Sequence, residues 1–158
     1  MKNKINSICI FLGLSSTEVN NIQQILNQNH ANVLAIYNNF YALDIINKIK
    51  MYMVNSTSKS ATIYLVANIV KNKKNTFVDN KGNFISIKEL TNMLNQQSYN
   101  ANKQLVKYNR KILFINYQTE KIKTSDDNDD DTTTINVDVE NMKTINFQKE
   151  FLTWFNKE

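Results

Sequence analysis

The sequence contains no proline, only two glycines, one cysteine and one histidine among its 158 residues. Gly13 and Gly82 cannot supply the glycine-rich loops that hold phosphates in dinucleotide-binding and P-loop proteins. Cys9 and His30 alone can form neither a disulfide framework nor a zinc site of Cys and His ligands. We therefore expect neither a cofactor nor a metal ion.

Long hydrophobic runs are also missing, since none approaches the roughly 18 residues that a membrane span needs. The first 20 residues have a basic start and a short apolar segment, as a signal peptide has. That segment is only about seven residues long, near the minimum for a signal peptide, and no small-x-small cleavage site follows it. We interpret it as a buried strand and expect a cytoplasmic protein that does not bind membranes. A single free cysteine agrees with a reducing compartment.

The sequence is rich in hydrophobic residues (42%) and contains 27 asparagines. Its length suits one domain with a buried core. Charge is unevenly distributed: residues 1–123 carry 16 Lys/Arg against 5 Asp/Glu, whereas residues 124–158 carry 3 against 9. The basic body could bind an acidic partner, or the charges of the body and of the acidic tail could screen each other.

Apolar runs typical of buried strands alternate with segments of helical spacing. The predicted strands are residues 7–14, 32–37, 61–69 and 111–117, and the predicted helices are residues 17–28, 41–54 and 87–97. Residues 76–86 predict a β-hairpin with its turn at 79–82, whereas residues 98–109 look irregular. This order predicts an α/β fold, a mainly parallel sheet with helices on both faces and a β-hairpin insertion.

An acidic segment divides the chain, with five aspartates in the six positions 126–131. Such charges repel one another and bury nothing, so we interpret 124–134 as a disordered linker. It separates the body, 1–123, from a tail, 135–158. The tail predicts a short strand at 135–139, which could lie beside the fourth strand, and a strongly apolar helix at 145–155 that docks on the body.

No nucleophile is evident with a base beside it. Cys9 lies inside an apolar strand, where it is expected to be a core residue, and His30 follows a helix. Ser15 and Ser16 are better explained as helix caps. The aspartates at 126–131 lack the spacing of a calcium-binding loop.

The order of elements resembles the large subunit of a caspase. The best-matching stretches are residues 76–97, TFVDNKGNFISIKELTNMLNQQ, and residues 109–121, NRKILFINYQTEK. The first is similar to the hairpin that leads into a helix, and the second to the strand that presents the catalytic cysteine. The resemblance covers residues 8–123 well and 124–158 weakly. It implies a three-layer caspase-like sandwich with strand order 2-1-3-4.

The catalytic positions of that family hold other residues in this sequence. The resemblance aligns Gln118 with the nucleophilic cysteine and a residue between Asn68 and Lys71 with the histidine. An amide cannot attack a peptide carbonyl, and a carboxylate at Glu120 would oppose a developing oxyanion. We therefore expect that the protein is not an enzyme. We expect instead that this part of the sheet binds a partner, through the residues Asn68, Asn116, Gln118, Thr119 and Glu120.

The resemblance implies a pseudocaspase that modulates apoptosis or innate signalling by binding a caspase or its adaptor, as a homo- or heterodimer. Its small size would suit a viral decoy. A sheet that ends early would leave an edge for a partner's strand, unless the tail covers it. An active caspase could cleave the linker after Asp126, Asp127 or Asp131 and so separate the tail from the body. The alternative is that the linker is not cleaved and serves only to keep the protein soluble.

Two other functions stay open. One is a generic doubly wound α/β module that binds a small ligand or a partner. The other is a basic nucleic-acid-binding domain, suggested by lysines at 71, 73 and 74. Nucleic-acid binding would weaken steeply with salt because counterions are released.

Overall fold

The computed structural model describes residues 6–29, 31, 33–36, 41–70, 73–96, 98–116, 132–136 and 145–157. Their strands are Ser7–Leu12 (β1), Leu34–Ile36 (β2), Ser60–Asn68 (β3), Thr76–Val78 (β4), Phe84–Ser86 (β5), Lys107–Asn116 (β6) and Thr132–Asn136 (β7). Their helices are Ser16–Gln28 (α1), Ala42–Val54 (α2), Ile87–Asn95 (α3) and Ile145–Asn156 (α4).

Five strands form one sheet in the order β2-β1-β3-β6-β7, and every pairing in it is parallel. The predicted order of the first four strands is thus confirmed. β4 and β5 form a separate antiparallel hairpin between β3 and α3, where the sequence predicts one. β7 lies beside β6, as expected for the tail strand.

Alternate side chains of the central strands build two cores, one on each face of the sheet. On one face, Ile10 and Leu65 pack in a core with residues of α2, α3 and the hairpin. On the other face, Phe11 and Leu113 pack in a core with residues of α1 and α4. The result is a three-layer α/β arrangement, in which α2 and α3 cover one face and α1 and α4 cover the other.

Cys9 belongs to the second core and is fully buried. Burial raises the pKa of its thiol far above the usual value, because the thiolate would lose its hydration. The expectation that Cys9 is a core residue is confirmed.

Serine side chains define where two helices begin. The hydroxyl oxygen of Ser15 accepts a hydrogen bond from the Glu18 amide at 3.2 Å, and that of Ser86 accepts one from the Glu89 amide at 3.0 Å. Each bond satisfies an amide that has no partner inside its helix, which stabilises the start of α1 and of α3.

Several strand boundaries differ from the predicted ones. β1 ends at Leu12 rather than at residue 14, and the largest difference is at the start of β6. β6 begins at Lys107 rather than at residue 111, so the last residues of the segment 98–109 are not irregular. In the part of the chain that the structure describes, Lys107–Arg110 pairs with β3 alone, since β7 begins opposite Ile112. A segment paired on one side tolerates polar side chains, which explains its low apolar content.

β7 also begins earlier than predicted, at Thr132 instead of residue 135. The last three residues of the predicted disordered linker, Thr132 to Thr134, therefore lie in a strand. Threonine is β-branched and suits a strand despite its polarity. The aspartates that precede these threonines obscure this strand preference in the sequence. The described part of the strand runs to Asn136, and residues 137–139 of the predicted strand lie outside the described residues.

A buried polar cluster closes the amino end of the sheet. Asn100 is 3% exposed, and its side-chain amide donates to the carbonyl oxygen of Ser58 and to Oε1 of Gln104, each at 3.1 Å. Its Oδ1 accepts from the amides of Asn102 and Gln104 at 2.9 and 3.0 Å. All four hydrogen-bonding positions of this side chain are used, so its burial leaves no polar group unsatisfied.

Candidate functional site

The carboxyl ends of parallel strands form the edge of an α/β sheet where ligands and partners are usually bound. At this edge the structure brings together Gly13 after β1, Asn68 at the end of β3, Asn116 at the end of β6 and the hairpin turn 79–83. We call these residues the carboxyl rim.

Asn68 and Asn116 end neighbouring strands, as the sequence predicts for two of the candidate site residues. In the register of β3 with β6, Asn68 lies opposite Ile115, so that Asn116 is one residue further along. The amide of Ile69 donates to the carbonyl oxygen of Ile115 at 3.0 Å and extends the pairing past Asn68. The two asparagines thus lie on adjacent strands at the same edge of the sheet.

The Asn68 side chain joins two strand ends. Its Nδ2 donates to the carbonyl oxygen of Gly13 at 2.6 Å. Its Oδ1 is buried and has no hydrogen-bond partner within the residues that the structure describes. Asn116 is fully buried, so of these two asparagines only Asn68 presents part of its surface to solvent.

Gly13 is required by both its conformation and its surroundings. Its φ of +69° lies in the left-handed region, and a Cβ there would be 2.9 Å from the carbonyl oxygen of Val78. The amide of Gly13 donates to Oδ1 of Asn80 at 3.0 Å. The hairpin therefore approaches the end of β1 more closely than a residue with a side chain would allow.

Asp79 connects the hairpin turn to α2. Its Oδ1 accepts from the amides of Lys81 and Asn83, both at 2.9 Å, and its Oδ2 accepts from the amide of Ala42 at 3.2 Å. The preceding residue, Tyr41, makes no side-chain cap bond, so the Asp79 carboxylate caps α2 from 37 residues away. A carboxylate is favoured there because the amino end of a helix carries partial positive charge.

Lysines give the hairpin side of the rim a positive charge. Lys81 lies exposed in the turn, and the Lys73 ammonium is 4.4 Å from the centre of the Phe84 ring, which is 56% exposed. The carboxylate of Asp79 is 5% exposed and engaged by backbone amides. A ligand at this side would therefore meet cations and an aromatic ring rather than a free acid.

Other predicted site residues lie outside the described part of the chain: Lys71, Gln118, Thr119, Glu120, Asp126, Asp127 and Asp131, together with His30. The sequence did not identify Gly13, Asp79 and Asn80 as parts of the site. A signal exists in the turn DNKGN, since aspartate often accepts hydrogen bonds from amides two to four residues later.

The groups described at the rim can bind but are poorly suited to move protons. Amide side chains neither accept protons readily nor act as nucleophiles, and the only cysteine is buried within β1 against α1 and α4.

Among the described residues, no three His, Cys, Asp or Glu side chains are grouped to hold a metal ion. None of the described helices is long and apolar enough to cross a membrane.

No protein-family model matches this sequence, and the search of curated proteins finds no significant match.

Proposed function

We propose that this protein is a non-enzymatic homologue of caspases that acts in the cytoplasm by binding a caspase or a caspase adaptor. The observation that supports it most directly is the placement of Asn68 and Asn116 at the ends of adjacent strands. These are the two strand ends at which the resemblance puts the histidine loop and the cysteine loop, and both carry amides.

The order of the strands supports the same proposal. The sheet order β2-β1-β3-β6 agrees with that implied by the resemblance, and the β4–β5 hairpin lies between β3 and α3 as the best-matching stretch requires. Strand order alone is common to many doubly wound folds, whereas the inserted hairpin is a more specific feature.

Binding to a protein is also consistent with the sheet edge at β7. In the described part of the chain, β7 is the end strand of the five-stranded sheet and pairs with β6. The end of a sheet is where a partner's strand can be added. Such an edge suits the homo- or heterodimer that the sequence suggests.

The test is binding of the full-length protein to active caspases and to caspase adaptor domains, measured by calorimetry. We expect a complex that the exchange Lys81→Glu weakens by about tenfold, because it reverses a charge on the rim. The matched control is Lys59→Glu, which makes the same exchange at the amino end of β3 and should change affinity less than about twofold.

Two results would overturn the proposal. One is the absence of binding to all caspases and adaptors tested. The other is cleavage of an Asp-containing peptide by the purified protein that is lost in Gln118→Ala.

The two other candidate functions give different signatures in the same preparations. A small-ligand module of the flavodoxin kind would carry a flavin absorbance after purification. A nucleic-acid-binding domain would retain oligonucleotides with an affinity that falls steeply between low and physiological salt. Either result without caspase binding would replace the proposal.

A further inference from the structure

The β4–β5 hairpin buries one face and exposes the other. Phe77 and Ile85 lie opposite each other in its register and are at most 6% exposed, and Phe77 stacks on Phe114 of β6 with ring centres 5.4 Å apart. Neighbouring residues of a strand point to opposite faces, so Phe84 points away from this core. An exposed ring by itself is ordinary, so the surroundings of Phe84 decide what this face can bind.

Cations accompany the exposed ring. Residues 73–88 contain four lysines, all exposed, at positions 73, 74, 81 and 88. The ammonium of the first lies 4.4 Å from the centre of the Phe84 ring. The single acid of this segment, Asp79, is 5% exposed and accepts hydrogen bonds from three backbone amides. Glu89, the next acid along the chain, lies in the first turn of α3, where the amino end of the helix offsets its charge.

Backbone contacts hold two of these lysines beside the ring and in the turn. Asn75 has a left-handed φ of +51°, and its carbonyl oxygen accepts from the Ile87 amide at 2.9 Å. This bond ties the chain that carries Lys73 to the start of α3. In the turn, the amide of Lys81 donates to Oδ1 of Asp79 at 2.9 Å. Fixed backbone positions reduce the conformational entropy that is lost on binding.

The acidic segment of this chain is joined to the other end of the sheet. The hairpin turn is bonded to Gly13, after β1, whereas the aspartates at 129–131 directly precede Thr132, the first residue of β7. β3 and β6 lie between β1 and β7, which separates them by about 14 Å. The hairpin is therefore better placed for an acidic segment that another protein supplies.

We propose that the hairpin surface, formed by Lys73, Lys81 and Phe84, binds an acidic peptide segment of a partner protein. Carboxylates of the segment pair with the two ammonium groups, and an apolar side chain between them packs on the ring. The proposal rests on the binding role proposed above and names the chemistry of the partner's contact segment. Nucleic acid fits less well, because single strands are held by several rings on which successive bases stack, and this surface has one.

The test is binding of a fluorescent aspartate-rich peptide with a central leucine to the full-length protein, without a caspase, read by fluorescence anisotropy. We expect binding that weakens at least about fivefold from low to physiological salt, because the charges are exposed. The double variant Lys73→Gln/Lys81→Gln should weaken binding about tenfold, and Phe84→Ala about threefold.

The matched control is the double variant Lys59→Gln/Lys107→Gln. It removes the same charge from exposed positions at the amino end of the sheet, where the Lys107 amide donates to the Lys59 carbonyl oxygen. It should change affinity less than about twofold. All these variants replace exposed side chains, and circular dichroism checks that each is folded.

Because no caspase is present, absence of peptide binding at low salt would overturn this proposal without bearing on caspase binding. Equal affinity of the hairpin and control double variants would overturn it too. Tighter binding of a single-stranded oligonucleotide of the same charge would assign the surface to nucleic acid instead. Peptide binding that appears only after the aspartates at 126–131 are replaced by asparagine would assign it to the chain's own segment, which also overturns the proposal.

Discussion

The side-chain amide of Asn68 donates a 2.6 Å hydrogen bond to the carbonyl oxygen of Gly13, which joins the end of β3 to the residue after β1. Gly13 in turn donates its amide to Asn80 in the hairpin turn. One residue without a side chain thus connects three segments of the rim, and its replacement tests how far the rim depends on it.

Gly13→Ala should lower the free energy of unfolding by about 2–4 kcal/mol, since it adds a left-handed backbone cost to a contact with Val78. Gly82→Ala is the control, because its φ of +86° imposes a similar cost but nothing lies within 4 Å of the added Cβ. It should lose about 1–2 kcal/mol. Urea unfolding followed by circular dichroism measures both, and equal losses would contradict the close approach of the hairpin.

Asp79→Ala should destabilise the protein by about 2–4 kcal/mol, because three backbone amides lose a charged acceptor. Asp79→Asn retains one acceptor oxygen and should lose roughly half as much. Asp44→Ala removes an exposed carboxylate from the first turn of α2 and should cost about 0.5 kcal/mol. Chemical denaturation of the three variants checks this order, and a neutral Asp79→Ala would refute the proposed cap.

Stability should fall in alkaline solution because the Cys9 thiol is buried. Its folded pKa is raised, so its contribution is complete below the ordinary thiol pKa of about 8.5 and is lost as pH rises above that value. Between pH 8.5 and 9.5 the wild type should lose about 1 kcal/mol more than Cys9→Ala. Burial also raises the pKa values of Tyr64 and Tyr108, so the variant should retain a smaller alkaline loss.

Unfolding in urea at several pH values measures this difference. Parallel pH dependence of the wild type and Cys9→Ala would show that the thiol ionises in the native protein as readily as in the unfolded chain.

Asn100→Ala should cost about 1–3 kcal/mol, because it removes four hydrogen bonds and leaves the buried carbonyl oxygen of Ser58 without this partner. Asn102→Ala, at an exposed neighbouring position, should cost no more than about 0.5 kcal/mol. Thermal unfolding distinguishes them readily, and a small effect at Asn100 would mean that water replaces its partners without penalty.

The strands were predictable where they are buried on both faces. β1 and β3 are nearly continuous apolar runs, as expected for parallel strands under two layers of helices. The first four residues of β6 were missed because they pair with β3 on one side only in the described structure, and half-exposed positions tolerate polar side chains. Local composition does not reveal a strand whose pairing depends on a distant partner.

The site was predictable only in its strand ends. Asn68 and Asn116 follow apolar runs directly, which places both at the carboxyl edge once the sheet is taken as parallel. The bonds from Gly13 to Asn80 and from Ala42 to Asp79 join residues 67 and 37 positions apart. Turn residues of this kind look alike whether or not they reach across the fold, so no local pattern identifies these contacts.

The long sequence separations at the rim have a consequence for folding kinetics. Its bonds link residue 13 with residues 68 and 80, and residue 42 with residue 79. Contacts of such high contact order form late, after the intervening loops have closed. On the ribosome, this edge of the sheet therefore stays incomplete until β6, which ends at Asn116, has been synthesised, so the intact rim is a property of the folded chain and is absent from shorter nascent chains.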